Sequence, residues 1–297
     1  MADMANNTFE QHKLERELTW IEMWEDLEKQ GIRPVELWEG GAPGYIPTER
    51  QAPPRIAVFP AMPSSGAEQP RGLIIICAGG GFNFKSRQEG KPVAEYFQKR
   101  GINAAILDYR CVPHTPMDAC ADGLRAVRWV RYHAEELNIN PNKVALSGFS
   151  AGGILTALAA THFDYGNPEA EDPIERISSR PDAALLFYGA MARAAVMRSS
   201  LSYDIEAQRE AAKYDPLKCM RSDAPPFFIF QTHADDPRFA MNFGKELADR
   251  GIPFEVHTFH GGRHGQGLYD GSYGMENVPH TAHWAELAVE WLEDQGF

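Results

Sequence analysis

Gly148, Ser150 and Gly152 stand at alternate positions in the run Asn142-Lys-Val-Ala-Leu-Ser-Gly-Phe-Ser-Ala-Gly-Gly-Ile-Leu-Thr-Ala-Leu-Ala-Ala160. A serine hydroxyl attacks a carbonyl only if a base takes its proton and fixed donors receive the oxyanion that forms. Gly-x-Ser-x-Gly suits that chemistry when a strand leads into it and a helix leaves it, because the tight turn lifts the hydroxyl out at the top of a sheet. Val144-Ala145-Leu146 reads as a buried strand, and the Ala/Leu-rich stretch after Ser150 has helical character. Without that context the pentapeptide would be no more than a Gly-rich turn.

A base and an orienting carboxylate should then follow in the order Ser, Asp or Glu, His. An apolar run at 227–231 opens into Thr232-His-Ala-Asp-Asp-Pro237, and a second at 254–259 opens into His260-Gly-Gly-Arg-His-Gly265. Both segments lie just past the carboxyl ends of strands, where open α/β sheets bind ligands. Asp235, nearer the strand end, is the candidate acid and Asp236 its competitor. His264, in a glycine-flanked loop, is the candidate base; His260 and His233 are the local alternatives. Gly79-Gly80-Gly81 after the strand at 72–77 can bring amides close to a ligand. It lacks the Lys-Ser/Thr ending of a phosphate loop. Gly80 or Gly81 together with Ala151 are the expected oxyanion donors.

The elements that must hold these groups alternate. Strands are expected at 55–59, 72–77, 103–108, 143–147, 182–188, 226–231 and 254–259, and helices at 92–100, 118–137, 151–163, 239–250 and 280–293. Leu73-Ile-Ile-Ile76 and Phe227-Phe-Ile-Phe230 are apolar on both faces, as strands covered on both sides by helices are. The pattern is an α/β fold with a mostly parallel sheet. Residues 1–36 read as a helical extension, helix from about Phe9 to Gln30, with Leu14, Leu18, Ile21, Trp24 and Leu27 at helical spacing. Packing on the domain is its expected role; lining the active-site mouth or joining a partner chain are the other two. Residues 37–297 form one domain, in which 190–225, carrying Met191, Met197, Tyr203 and Tyr214, should supply part of a pocket. Phe82 and Phe149 are expected to line its mouth, with ordinary packing the alternative for both.

Composition narrows the partners. The 297 residues carry a formal charge of −12, which disfavours nucleic acid and anionic membrane surfaces. No apolar run reaches the roughly 20 residues of a membrane span. Cys77, Cys111, Cys120 and Cys219 form no Cys-x-x-Cys pair and sit at no zinc-like spacing from histidine. They read as free thiols in a reducing compartment. With no basic-then-apolar leader at the N-terminus, a cytoplasmic location is expected. Oligomeric state is not readable, and a homo-oligomer is compatible with the chain.

Gly79-Gly-Gly-Phe82, Leu107-Asp-Tyr-Arg110, Gly148-Phe-Ser-Ala-Gly-Gly153, Ala234-Asp-Asp-Pro237 and Gly262-Arg-His-Gly265, taken as an ordered set, resemble the α/β-hydrolase superfamily. The likeness is strongest to its small-ester branch, the acetyl-xylan-esterase-like and carboxylesterase/lipase-like proteins. It implies a serine hydrolase of short-chain esters, acetylated carbohydrate among them, acting through Ser150, Asp235 and His264 without a metal or organic cofactor. Phe82, Phe149 and Tyr214 would then touch substrate. A serine peptidase of the same fold and a non-catalytic receptor or scaffold on it are the rivals. Arg238 and Arg263 are departures from the family pattern; they suggest an acidic or polar substrate unless they simply pair with surface acids.

Overall fold

The computed structural model describes residues 2–62, 70–190 and 212–297, with side chains described from residue 8 onward and at 213 onward in the last segment. Met191, Met197 and Tyr203 lie outside the described residues.

A helix α1 (Ala2–Lys29) comes first, followed by the two-residue β1 (Val35–Glu36) and β2 (Arg55–Phe59). Then strands and helices alternate: β3 (Arg71–Cys77), α2 (Lys91–Lys99), β4 (Asn103–Asp108), α3 (Pro116–Tyr132), β5 (Ile139–Phe149), α4 (Ala151–His162), β6 (Ala183–Phe187), β7 (Phe227–Thr232), α5 (Arg238–Asp249), β8 (Phe254–Phe259) and α6 (Trp284–Asp294). The strands form one sheet in the order β1-β2-β4-β3-β5-β6-β7-β8. β1 and β2 pair antiparallel, as do β2 and β4; every pairing from β4 through β8 is parallel. The strand order reverses between β3 and β5, which opens a crevice above their carboxyl ends.

Alternation along β3 divides the core. Leu73, Ile75 and Cys77 face the layer of α3, α4 and α5, and Ile74, Ile76 and Ala78 face the layer of α1, α2 and α6. α1 therefore packs on the domain through Trp20, Met23, Trp24 and Leu27, all at most 4% exposed. Burying a side chain of Leu or Met size stabilises by about 1.5–3 kcal/mol, so this face is enough to dock the helix. Leu14 and Leu18, expected on that face, are 38% and 45% exposed. The helix turns its second half inward and leaves its first half at the rim of the sheet. β1 (Val35–Glu36) joins the sheet well ahead of the first strand expected at 55–59, inside the stretch read as the helical extension.

α3 starts at Pro116, two residues before the expected start. Thr115 and Asp118 form a capping box there, which satisfies free amides of the first turn. The last expected helix is divided at His283 into Pro279–Ala282 and α6.

Candidate active site

β5 ends at Phe149 and α4 begins at Ala151, leaving Ser150 alone in the turn at φ 50°, ψ −114°. That backbone state costs a non-glycine residue about 1–3 kcal/mol and persists only where its surroundings over-determine it. Here they do. The Ser150 amide donates to Phe187 O at 3.0 Å, and Ile154 N donates to Ser150 O at 2.9 Å. A Cβ on Gly148 would lie 2.2 Å from the Gly152 carbonyl, and one on Gly152 would lie 2.0 Å from Cys77 O. Those two positions accept only hydrogen.

The loop after β8 carries His264 to the serine. Its Nε2 stands 2.8 Å from Ser150 Oγ. Its Nδ1 stands 2.8 Å from Asp235 Oδ1, at the end of the turn after β7. In the tautomer this requires, the serine hydroxyl donates to Nε2 and Nδ1–H donates to the carboxylate. Asp235 is further fixed by Gln231 Nε2, which donates to its carbonyl at 2.7 Å. Asp236, with φ 53°, turns away and pairs with Arg238 at 2.6 Å. His233 and His260 pack edge to face on each other, with ring centroids 5.6 Å apart.

Burial pulls the His264 pKa down, but the hydrogen bond and charge of Asp235, with Glu89 adding, outweigh it. The imidazole therefore sits above its ordinary value. Its loop is tied at several points: Tyr269 Oη donates to Arg263 O at 2.9 Å, Trp284 Nε1 to Gly267 O at 3.2 Å, and Gly267 N to Tyr188 Oη at 3.1 Å.

The glycine loop after β3 abuts the serine: a Cβ on Gly79 would lie 2.9 Å from Ser150 Cβ. Gly80, at φ 141°, passes so close to Phe84 O that a Cβ would meet it at 2.1 Å. Among the described residues no hydrogen bond takes the amides of Gly80, Gly81 or Ala151. Ala151 is the first residue of α4, where amides have no partner inside the helix and the dipole end is positive.

Behind this loop lies Glu89, 1% exposed and invisible to any spacing rule. Its Oε2 accepts from Gly79 N at 2.7 Å and its Oε1 from Tyr188 Oη at 2.6 Å. Burial raises its pKa, while the donations from Tyr188 and Gly79 pull it back only in part. One carboxylate thus joins the glycine loop to Tyr188, which holds the His264 loop through Gly267.

Ser150 and His264 open into a cleft of about 450 Å³, lined by Gly80 and Gly81, by Phe84 and Met275, and by Phe9, His12 and Arg16 of α1. Three expected lining residues are elsewhere. Phe149 is 0% exposed and wedged among Phe187, Tyr188 and Trp284. Phe82 is buried edge to face on Tyr109, because the glycine turn rotates Phe84 outward in its place. Tyr214 sits beside His162 at the far end of α4, about 18 Å of helix from the serine. Arg238 and Arg263 are also spent locally, on Asp236 and on Glu276 at 2.5 Å. The positions 9, 12 and 16 share one helical face, which is the signal that could have found the α1 wall.

Among the described residues no group of three or more His, Cys, Asp or Glu side chains could hold a metal ion. The cysteines are free, and burial pushes the thiols of Cys111 and Cys120 up to about 11 and about 12, so they stay protonated. No described helix is long and apolar enough to cross a membrane.

A sheet reversing at β3/β5, with an elbow serine, a histidine after β8 and a carboxylate after β7, defines an α/β-hydrolase. Solved structures of that class superpose on the chain. The acetyl ester-xyloside bifunctional hydrolase of Caldicellulosiruptor lactoaceticus is 32% identical, with TM-score 0.77, over 89% of this chain and 96% of that one. Esterase 2 of Thermogutta terrifontis, in its propionate-bound form, is 29% identical, with TM-score 0.69, over 90% and 95%. A family profile described as BD-FAE matches residues 61–248, and the chain belongs to that family. Endo-1,4-beta-xylanase B of Butyrivibrio fibrisolvens is 32% identical over 70% of this chain and 36% of its own length. The acetylxylan esterase of Xylanibacter ruminicola is 34% identical over 41% and 23%. The chain thus spans well under half the length of these two curated relatives.

Proposed function

We propose that the protein is a serine esterase that cleaves small or short-chain acyl groups through an acyl-enzyme. The observation that carries this reading is the unbroken hydrogen-bonded chain Asp235–His264–Ser150, with both contacts at 2.8 Å, facing an open cleft. Ser150 Oγ attacks the ester carbonyl as His264 Nε2 takes its proton. The C–O bond to the alcohol breaks as the same nitrogen returns that proton to the leaving oxygen, and water then repeats the cycle on the acyl-enzyme. Asp235 fixes the tautomer and steadies the imidazolium. The amides of Ala151 and of Gly80 or Gly81 receive the oxyanion; one such donor is worth on the order of 3 kcal/mol in the transition state. The names of the acetyl ester-xyloside hydrolase and acetylxylan esterase relatives support acetylated carbohydrate as the substrate class. Free cysteines support a cytoplasmic location, and the net charge of −12 argues against nucleic acid.

The test is hydrolysis of p-nitrophenyl acetate, butyrate and octanoate beside the Ser150→Ala variant. Rates that fall with acyl length and vanish in the variant are expected. Equal inertness of both proteins, with no labelling of Ser150 by a fluorophosphonate, would refute the reading.

A further inference from the structure

Among the described residues Arg16 lines the cleft without a carboxylate in ion-pair contact; its charge reaches Glu89 only through space. Arg33, Arg87, Arg100 and Arg176 likewise form no ion pair among the described residues, but of these arginines Arg16 alone lines the cleft. Arg238 and Arg263 each pair with a carboxylate. Arg16 forms no ion pair among the described residues, and the one hydrogen bond described for its guanidinium is a long 3.4 Å donation to the neutral Gln88 Oε1. Glu89, a neighbouring carboxylate, is already occupied by Gly79 and Tyr188. A guanidinium has five N–H donors in a planar fork, so most of those on Arg16 remain open toward the cleft it shares with Ser150 and His264. Its mounting is rigid. One turn further along α1, Trp20 Nε1 donates to Asp108 Oδ1 at 2.9 Å, and Trp20 and Met23 press on the hydrogen face of Gly90. His12, beside it, packs edge to face on Phe84 at 5.8 Å.

We propose that Arg16 receives a carboxylate carried by the ester substrate, so that the enzyme prefers acidic esters such as acetylated uronic acids over neutral ones. This deepens, and rests on, the esterase reading. The planar fork matches a carboxylate bidentately, which a lysine at the same place would not.

Two probe pairs test it, one for each half of the ester. 4-Acetoxybenzoate against 4-acetoxybenzamide places the carboxylate on the alcohol side. Mono-4-nitrophenyl succinate against 4-nitrophenyl succinamate places it on the acyl side. The readout is the ratio of kcat/KM for acid over amide, compared between wild type and variant so that intrinsic reactivity cancels. In at least one pair Arg16→Gln should lower the ratio about tenfold, as expected for losing a hydrogen bond to a charged group. Arg16→Lys should recover part of it, and Arg33→Gln, which removes the same charge beyond the other end of α1, should leave it unchanged. Rising salt should erode the wild-type ratio, a reading that needs no variant. A ratio unmoved by Arg16→Gln in both pairs and indifferent to salt overturns the assignment while leaving the esterase intact. Failure of the wild type to cleave any of the four overturns the esterase reading itself.

Discussion

Replacing Glu89 by alanine removes the acceptor of two buried donors at once. Gly79 N and Tyr188 Oη, at 2.7 and 2.6 Å from its two oxygens, are both sealed from water, and neither has another acceptor described. A buried donor left unsatisfied costs about 1–3 kcal/mol, so the pair predicts a loss of about 2–6 kcal/mol. Glu89→Gln keeps one acceptor oxygen and should lose about half as much. The two variants separate the hydrogen bonds from the charge. Burial holds the Glu89 pKa above its ordinary 4.5, so the folded protein binds this proton more tightly than the unfolded chain does. The linked stability is full below 4.5 and is lost as pH rises through the folded value. Glu89→Gln should therefore flatten stability against pH above 4.5. Urea denaturation across pH measures both effects, and kcat/KM on p-nitrophenyl acetate should fall with them, since the glycine loop and the His264 loop share this anchor. An alanine variant within about 0.5 kcal/mol of wild type, the range of an inconsequential surface change, would refute the reasoning.

Asp235→Asn should reduce kcat by a factor on the order of 10⁴, the loss expected when the tautomer is wrong. Because His264 must be neutral to accept a proton, the wild-type acid limb should lie above 6.5, and it should move lower in the variant, where the raising influence of Asp235 is gone; a kcat/KM–pH profile reads this directly. Gly152→Ala would drive a methyl against Cys77 O at 2.0 Å and should cost roughly 1–3 kcal/mol with loss of activity, while Gly40→Ala, with nothing within 4 Å, should change neither in the same melts and assays.

The strand frame was legible because runs such as Leu73–Ile76 are apolar on both faces, and turn glycines marked where they ended. The elbow was legible for the same reason: Gly148 and Gly152 state a backbone requirement that the clash distances bear out. Side-chain direction within the glycine loop was not legible. Phe82 and Phe84 are chemically alike, and the positive φ values of Gly80, Gly81 and Phe82 decide which one faces the cleft. Phe149 was misread because the residue before the serine still belongs to β5, whose alternation buries it in the α6 layer. Glu89 left no trace, since a lone acid near a glycine resembles any surface residue until the fold encloses it. The start of β5 at Ile139 was hidden by the polar Asn140-Pro-Asn142, which the strand carries partly exposed at its end.

α1 reaches the sheet by its second half and the cleft by its first, with Phe9, His12 and Arg16 at the rim and Trp20 and Trp24 in the core. Any domain, tag or solid support joined ahead of this helix would therefore be delivered to the entrance used by substrate. Immobilisation through that end would turn the entrance toward the matrix and screen it from bulky molecules, whereas attachment at Phe297, packed under Gly72 at the foot of β3, would leave it facing solution. The choice of tether is thus a choice of which esters the enzyme can still meet.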